Sequence, residues 1–328
     1  MTIAIIIVNY KTADLTLACL QSLENELKRT SFEVVVIDND SQDDSFKILS
    51  TAVNENAWHS WVKIINSDKN GGFSYGNNLA IRQLLAGEQP PEYIYLLNPD
   101  TYLIEGAIET LQSFFVNKPN VGIVGGRLED PDGTLQNSSF KFHTWLTDLE
   151  RGFSFGMLSK LLAPWVSSDI IAERPIKTDW VAGASMMIRT QVFNDVGLLD
   201  ESYFMYYEEM DFCFQAARSG WECWYVPDSH VVHYVGQSSG VTDKTKKAKR
   251  RPRYWFDSRR RYFLKNYGVL HTLFADTAWL VGFSTWRLRN TFQKKEHNHP
   301  PHFLYDSLMN SVFVKGVSVA PNKNELKR

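Results

Sequence analysis

Apolar and polar positions along the first 125 residues fall into blocks that switch between two periods. Ile3–Val8 is a continuous apolar, mostly β-branched run, the mark of a strand buried on both faces. Ala13–Lys28 carries Leu17, Leu20, Leu23 and Leu27 at helical spacing. The alternation then repeats. Glu33–Ile37 predicts a strand and Phe46–Val53 a helix; Val62–Ile65 predicts a strand and Phe73–Leu85 a helix. Tyr93–Leu97 and Val121–Gly125 read as further strands, with a helix over Glu105–Val116 between them. Repeated strand–helix units with short connections predict an α/β fold, a mostly parallel central sheet with helices on both faces. Ligands of such sheets sit at the carboxyl ends of the strands. The polar residues predicted there are Asn9-Tyr10, Asp38-Asn39-Asp40, Asn66–Gly72 and Asn98-Pro99-Asp100.

Beyond this point the pattern is less regular. Residues 127–178 read as a variable insertion, with a turn at Asp130-Pro-Asp-Gly133 and an interrupted apolar run over Phe153–Trp165. Val181–Ile188 predicts a strand, Tyr206–Arg218 a helix, and Glu222–Val226 and His230–Tyr234 two more strands. Residues 269–292 form a helix candidate rich in Leu, Phe and Trp. The chain after Pro321 is expected to fray. No internal repeat is present.

Composition adds one fact. The 328 residues are 44% hydrophobic and 22% charged, which excludes a disordered, collagen-like or small disulfide-stapled protein. The net charge of −2 conceals an acidic body and a basic tail. Residues 1–243 have a balance of −16 and residues 244–328 a balance of +14, an asymmetry that points to an anionic surface or ligand. Residues 244–265 hold eleven Lys or Arg and one acid, Asp257. Cys19, Cys213 and Cys223 have no CxxC spacing, so neither a disulfide framework nor zinc is expected, and a reducing compartment fits. The apolar N-terminus lacks a basic leader and a cleavage site and reads as a strand. No run of 18 uncharged apolar residues predicts a membrane span.

Several constellations carry chemistry. Asp38 and Asp100 follow strands; a carboxylate there caps a turn, or it binds a ribose, a base or a hard cation. Glu208-Glu209-Met210-Asp211 puts three acids in four residues amid aromatics. On a helix Glu208 and Asp211 share a face. Such acids favour a helix N-terminus, or one of them, raised in pKa by an apolar pocket, is a general base. His230 and His233, three apart on a strand, face opposite sides, so at most one enters a common site. Asn70-Gly-Gly-Phe-Ser-Tyr-Gly-Asn-Asn78 opens a helix and offers N–H groups to an anion, or is a tight turn. Its spacing matches neither the dinucleotide fingerprint nor the Walker loop.

In this order the motifs Ile5–Tyr10, Val36–Ser41, Asn70–Asn78, Leu97–Asp100, Trp180–Ala184, Phe204–Phe212 and Val231–Tyr234 resemble family 2 of the inverting glycosyltransferases. The resemblance covers residues 1–268 and is strongest to the rhamnosyltransferase-like bacterial branch. It implies the GT-A fold, Rossmann-like, with a basic, aromatic-rich helical extension after residue 243. Residues 1–125 would bind the nucleotide sugar and residues 126–243 supply the acceptor and catalytic half. Val8, Asn9, Tyr10 and Asp38 would surround base and ribose, with the loop Gly71, Gly72 to Asn78 completing the pocket. Asn98 and Asp100 stand where the family has its DxD motif, and Asp100 and His233 would hold a divalent cation, Mg²⁺ or Mn²⁺. Trp180, Gly183 and Ala184 would line the acceptor side. Glu209 matches the catalytic base, flanked by Glu208 and Asp211.

The implied reaction is a metal-dependent, inverting transfer of a sugar, L-rhamnose by resemblance. It runs from a dTDP- or UDP-sugar to a glycan or polyprenyl-diphosphate-linked acceptor in cell-surface polysaccharide synthesis. A cytoplasmic location and no nucleic acid partner are expected; the aromatics interleaved with the charges of the tail read as a face on an anionic membrane or as a helix packed on the catalytic domain. A membrane-bound, catalytically silent nucleotide-sugar scaffold and a nucleotidyltransferase are the competing readings. The latter needs a basic phosphate loop after the first strand, which Val8-Asn-Tyr-Lys11 does not supply. Arg259, Arg260 and Arg261 lie where the branch carries a basic segment.

Overall fold

The computed structural model describes residues 2–166, 172–234 and 248–319. The strands are β1 (Ile3–Asn9), β2 (Phe32–Asp38), β3 (Val62–Asn66), β4 (Tyr93–Leu97), β5 (Thr101–Leu103), β6 (Val121–Glu129), β7 (Leu135–Gln136), β8 (Ser139–Phe140), β9 (Ile176–Thr178), β10 (Trp180–Val181), β11 (Ser185–Arg189) and β12 (Glu222–His233). The helices are α1 (Ala13–Glu26), α2 (Ser45–Glu55), α3 (Gly72–Leu85), α4 (Ala107–Phe114), α5 (Trp145–Phe153), α6 (Gly156–Val166), α7 (Thr190–Val196), α8 (Glu208–Arg218), α9 (Arg253–Gln293), α10 (Phe303–Met309) and α11 (Val312–Lys315).

The main sheet runs β3-β2-β1-β4-β11-β6-β12-β5, with β7 on β6 and β9 on β12; β8 and β10 pair separately. β1, β2, β3 and β4 are parallel; β11 is antiparallel to both β4 and β6, and β12 is parallel to β6. Six of the ten strands therefore point one way, as the alternating pattern predicts. The apolar run of β1 serves both faces. Ile3, Ile5 and Ile7 pack with Leu20 and Leu23 of α1, while Ile6 packs with Ala80 and Ile81 of α3 and Phe212 of α8. The chain crosses from β2–β3 on one side of β1 to β4 on the other, which opens a crevice at the carboxyl ends of these strands.

Several expected boundaries shift for physical reasons. The two strands expected over 222–234 are one, β12, with a register shift between Val226 and His230. Pro227 lies at that shift and has no N–H for the ladder. Helix α8 starts at Glu208 because Tyr206 and Tyr207 have φ of 70° and 73°, outside the helical region. The helix expected from 269 is the second half of α9, which begins at Arg253 and bends at Gly268, φ 80°. Within the expected insertion, α5 packs along α9. Among the described residues no helix is long and apolar enough to cross a membrane.

Candidate active site

The crevice holds a cavity of about 450 Å³. Strand ends supply one wall: Val8 near the end of β1 and Tyr10 after it, Asn39 after β2, and Asn98 and Asp100 after β4. Gly183 and Ala184, before β11, lie opposite with His233 at the end of β12 and Glu208 and Glu209 at the start of α8. Thus ten of the expected site residues are brought together: Val8, Tyr10, Gly72, Asn98, Asp100, Gly183, Ala184, Glu208, Glu209 and His233. His230 is on the other side of β12, near Glu129, as strand geometry requires.

Asp100 is 1% exposed. His233 Nε2 stands 3.5 Å from its Oδ1. The other ring nitrogen of His233, Nδ1, lies 3.0 Å from Gln136 Oε1. Gln136 Nε2 in turn donates to the His233 carbonyl at 2.7 Å and to Asp130 Oδ1 at 2.8 Å. A histidine oriented from behind beside a buried carboxylate is the usual form of a metal-ligating pair. Among the described residues no cluster of three metal-ligating side chains occurs. The pair fits a cation that takes its remaining ligands from phosphate and water, as Mg²⁺ commonly does.

Glu208 and Glu209 open α8, where the helix dipole favours negative charge. Burial opposes it. Glu209 is raised above the ordinary glutamate range by desolvation, while hydrogen bonds from its own N–H and that of Gly183 pull it down. Glu208 is raised further, by burial and by the neighbouring charge of Glu209. One oxygen of each, Oε2, is buried without a hydrogen-bond partner. Burial thus favours the neutral form of both acids, and the charge of Glu209 adds to the effect at Glu208. Left-handed backbone at Tyr206 and Tyr207 is strain held at the point where these acids are presented.

The loop before α8 is fixed from two sides. Gly72, φ 85°, brings the start of α3 so close to Phe204 that Phe73 N–H donates to the Phe204 carbonyl at 2.9 Å. From the other side α9 clamps it. Ser258 Oγ donates to the Met205 carbonyl at 3.0 Å, and Arg261 Nη2 lies 2.6 Å from Asp200 Oδ2. Lys265 bridges Asp200 and Asp211 at 3.1 and 2.5 Å. Arg259 is buried between Asp148 and Asp276 at 2.7 and 2.5 Å, and Arg260 pairs with Asp257 at 3.2 Å. Arg259, Arg260 and Arg261 therefore hold acids of the protein itself.

Six expected site residues do not line the cavity. Asn9 and Asp38 are buried and bonded to each other at 2.6 Å; Asp38 also accepts from Ser41, and Asn9 from Thr12 and Thr16. They shape the strand ends. Gly71 precedes the wall formed by Gly72. Asn78 pins the 199–201 loop by bonds to both backbone groups of Leu199. Trp180 stacks on Phe140 at 4.3 Å and donates to the Lys141 carbonyl. Asp211 is engaged by Lys265 and Asn266 and ties α8 to α9. In the other direction, Thr12, Met205, Tyr206 and Tyr254 line the cavity without having been expected there, while Phe73 belongs to the loop expected to complete it. Asn39 was expected at the strand ends, beside Asp38, but with no role of its own. Asn39 Nδ2 donates to Asn70 and to the Gly72 carbonyl, and its Oδ1 is buried without a hydrogen-bond partner.

Residues 4–196 match the family model for glycosyl transferase family 2. The N-acetylglucosaminyl-diphospho-decaprenol L-rhamnosyltransferase of Mycobacterium tuberculosis is 29% identical over 192 residues, 55% of this chain and 61% of that protein. The low-salt glycan biosynthesis hexosyltransferase Agl10 of Haloferax volcanii is 34% identical over 218 residues, 66% of this chain and 62% of its own length. The chain thus spans less than two thirds of the length of these relatives. Among solved structures, mannosyltransferase PcManGT of Pyrobaculum calidifontis, in complex with GDP-Man and Mn²⁺, superposes with a TM-score of 0.55 at 13% identity, over 96% of this chain and 83% of that one. That likeness concerns the fold, which is the GT-A fold of glycosyltransferases. By its match over more than half its length, and with strand-end residues of the matched segment forming one wall of the cavity, the chain belongs to glycosyl transferase family 2.

Proposed function

We propose that the protein is an inverting glycosyltransferase that moves a sugar from a nucleoside diphosphate to a hydroxyl acceptor. The observation that carries this reading is the Glu209 Oε2 atom, buried and without a hydrogen-bond partner, in the same cavity as the Asp100–His233 pair. The first is suited to take a proton, the second to hold a charge-neutralising cation.

In this reading the nucleoside occupies the strand-end wall. Asn39 Oδ1 accepts a hydrogen bond from the base, and Tyr10 packs against the base or ribose. Asp100 and His233 would hold Mg²⁺ or Mn²⁺ at the diphosphate, where a divalent cation stabilises the leaving charge. Gly183 and Ala184 leave room for the acceptor beside Glu209; a Cβ on Gly183 would stand 3.3 Å from the Phe73 ring and 3.8 Å from Glu209 Cβ. Glu209 Oε2 accepts the proton of the acceptor hydroxyl as its oxygen forms the new bond to the anomeric carbon. The bond to the diphosphate breaks on the opposite face. A single displacement with one base inverts the anomeric centre; double displacement needs a carboxylate nucleophile. Asp211 acts by positioning, through Lys265 and Asn266.

The relative named for rhamnosyl transfer to a diphospho-decaprenol acceptor, and one named as a dTDP-rhamnosyl transferase, support a deoxyhexose donor, dTDP- or UDP-linked, and a lipid-diphosphate acceptor of surface-glycan synthesis. Residues 1–125 would then bind the donor and 126–243 supply the base and acceptor side, while α9 braces the loop before α8. The test is a panel of nucleotide sugars with and without Mn²⁺, with the product anomer read by NMR. Inverted product with one donor supports the reading. Retained configuration overturns it.

A further inference from the structure

We propose that the second half of α9 and helix α6 form one face that lies on an anionic lipid surface. The position of the exposed apolar side chains points to it. Leu270, Phe274, Val281, Leu288 and Phe292 are 53–80% exposed. At about 100° per residue they fall within about 40° of one another, a straight stripe about 33 Å long. The side turned away from them, with Thr272, Ala275, Gly282 and Phe283, is buried on the body. The stripe is therefore not surplus core. It is an apolar edge left in water by a helix whose other side is already satisfied.

Helix α6 repeats the arrangement. Met157, Leu161 and Trp165, spaced by four, are 59–74% exposed. The two helices are joined through α5. Trp145 meets Phe274 with ring centroids 6.5 Å apart, and Arg289 donates to the Phe153 and Ser154 carbonyls and stands 5.4 Å from the Phe155 ring. Contiguous exposed apolar surface of this extent marks an interaction site.

Charge selects the occupant. Between Leu270 and Lys295 the one acid is Asp276, and it is buried and paired with Arg259. The exposed charges of this stretch are the cations Arg287, Lys294 and Lys295, and α6 adds Lys160 with no acid. An apolar stripe on a stretch where exposed cations outnumber acids, Glu296 being the exposed acid that follows Lys295, complements an anionic bilayer, where the side chains enter the acyl boundary and the cations meet the headgroups. A second copy would bring the same excess of cations to its surface.

The face is separate from the cavity residues, so its test does not depend on the proposed reaction. The full chain is floated with vesicles of phosphatidylglycerol and phosphatidylcholine, or of phosphatidylcholine alone, in low salt. The expected result is flotation with the anionic vesicles and at least tenfold weaker partitioning of Leu270→Ser/Phe274→Ser/Val281→Ser, whose positions are exposed and whose fold circular dichroism checks. Arg287→Glu/Lys294→Glu should lose the preference for anionic lipid. Absence of wild-type flotation, or equal flotation of the triple variant, overturns the proposal. So does a wild-type dimer in analytical ultracentrifugation that the triple variant renders monomeric.

Discussion

Gly72→Ala tests how the site loop is built, and Gly106→Ala is its matched control. Both glycines have left-handed backbone, φ 85° and 86°. A Cβ at Gly106 meets nothing within 4 Å, whereas one at Gly72 would stand 1.9 Å from the Phe204 carbonyl oxygen. Left-handed backbone costs an L-residue about 1–2 kcal/mol, and reduced freedom of the unfolded chain returns about 0.4–1 kcal/mol. Gly106→Ala should therefore lose about 1 kcal/mol. At Gly72 ordinary contact begins near 3.4 Å, so the carbonyl must retreat by about 1.5 Å. That movement breaks the Phe73 N–H to Phe204 bond, worth about 1 kcal/mol, and disturbs the cavity wall. We expect a loss of about 3 kcal/mol or more in urea denaturation. We also expect a donor affinity at least about tenfold weaker, since Gly72 lines the cavity and its carbonyl accepts from Asn39 on the donor wall. Equal losses for the two variants would refute the argument that close approach, and not backbone conformation alone, requires glycine at 72.

Further outcomes follow from the same geometry. Glu209 is raised in pKa by burial, so activity should fall as pH drops through a value above the ordinary glutamate range. The charge of Glu209 raises Glu208, whereas Glu209 is raised by burial, so Glu208→Gln should leave that acid limb in place with the plateau rate kept; a limb that moves to lower pH contradicts this. Gln136→Leu releases His233 Nδ1 and should raise the Mn²⁺ concentration needed for nucleoside diphosphate binding about 10–100-fold by calorimetry. Lys265→Met leaves Asp211 facing Asp200 without their shared cation and should cost about 3–5 kcal/mol of stability by denaturation; adding Asp211→Asn should restore part of it.

The sheet and half of the site were legible because both follow from local rules. A β-branched run such as Ile3–Val8 specifies a buried strand, and polar residues directly after such runs mark the crevice. Asp38 and Asn39 show the limit of the method. They are adjacent, and only the fold reveals that the carboxylate is engaged by Asn9 and Ser41 while the amide keeps an open acceptor. The basic segment shows a second limit. Arg259 and Arg261 read as a charge run because their partners, Asp148 and Asp200, lie 111 and 61 residues away. Sequence separation of that size leaves no periodic trace. The same holds for Tyr254, which reaches the cavity from the start of α9.

The central claim is that Glu209 supplies the base in a cavity whose other end binds the donor. It is tested most directly by Glu209→Gln, which keeps shape and removes the charge. The account predicts donor affinity unchanged within about twofold by calorimetry with Mn²⁺, and sugar transfer slowed by about 10²–10⁴. Transfer at the wild-type rate with intact donor binding would contradict it.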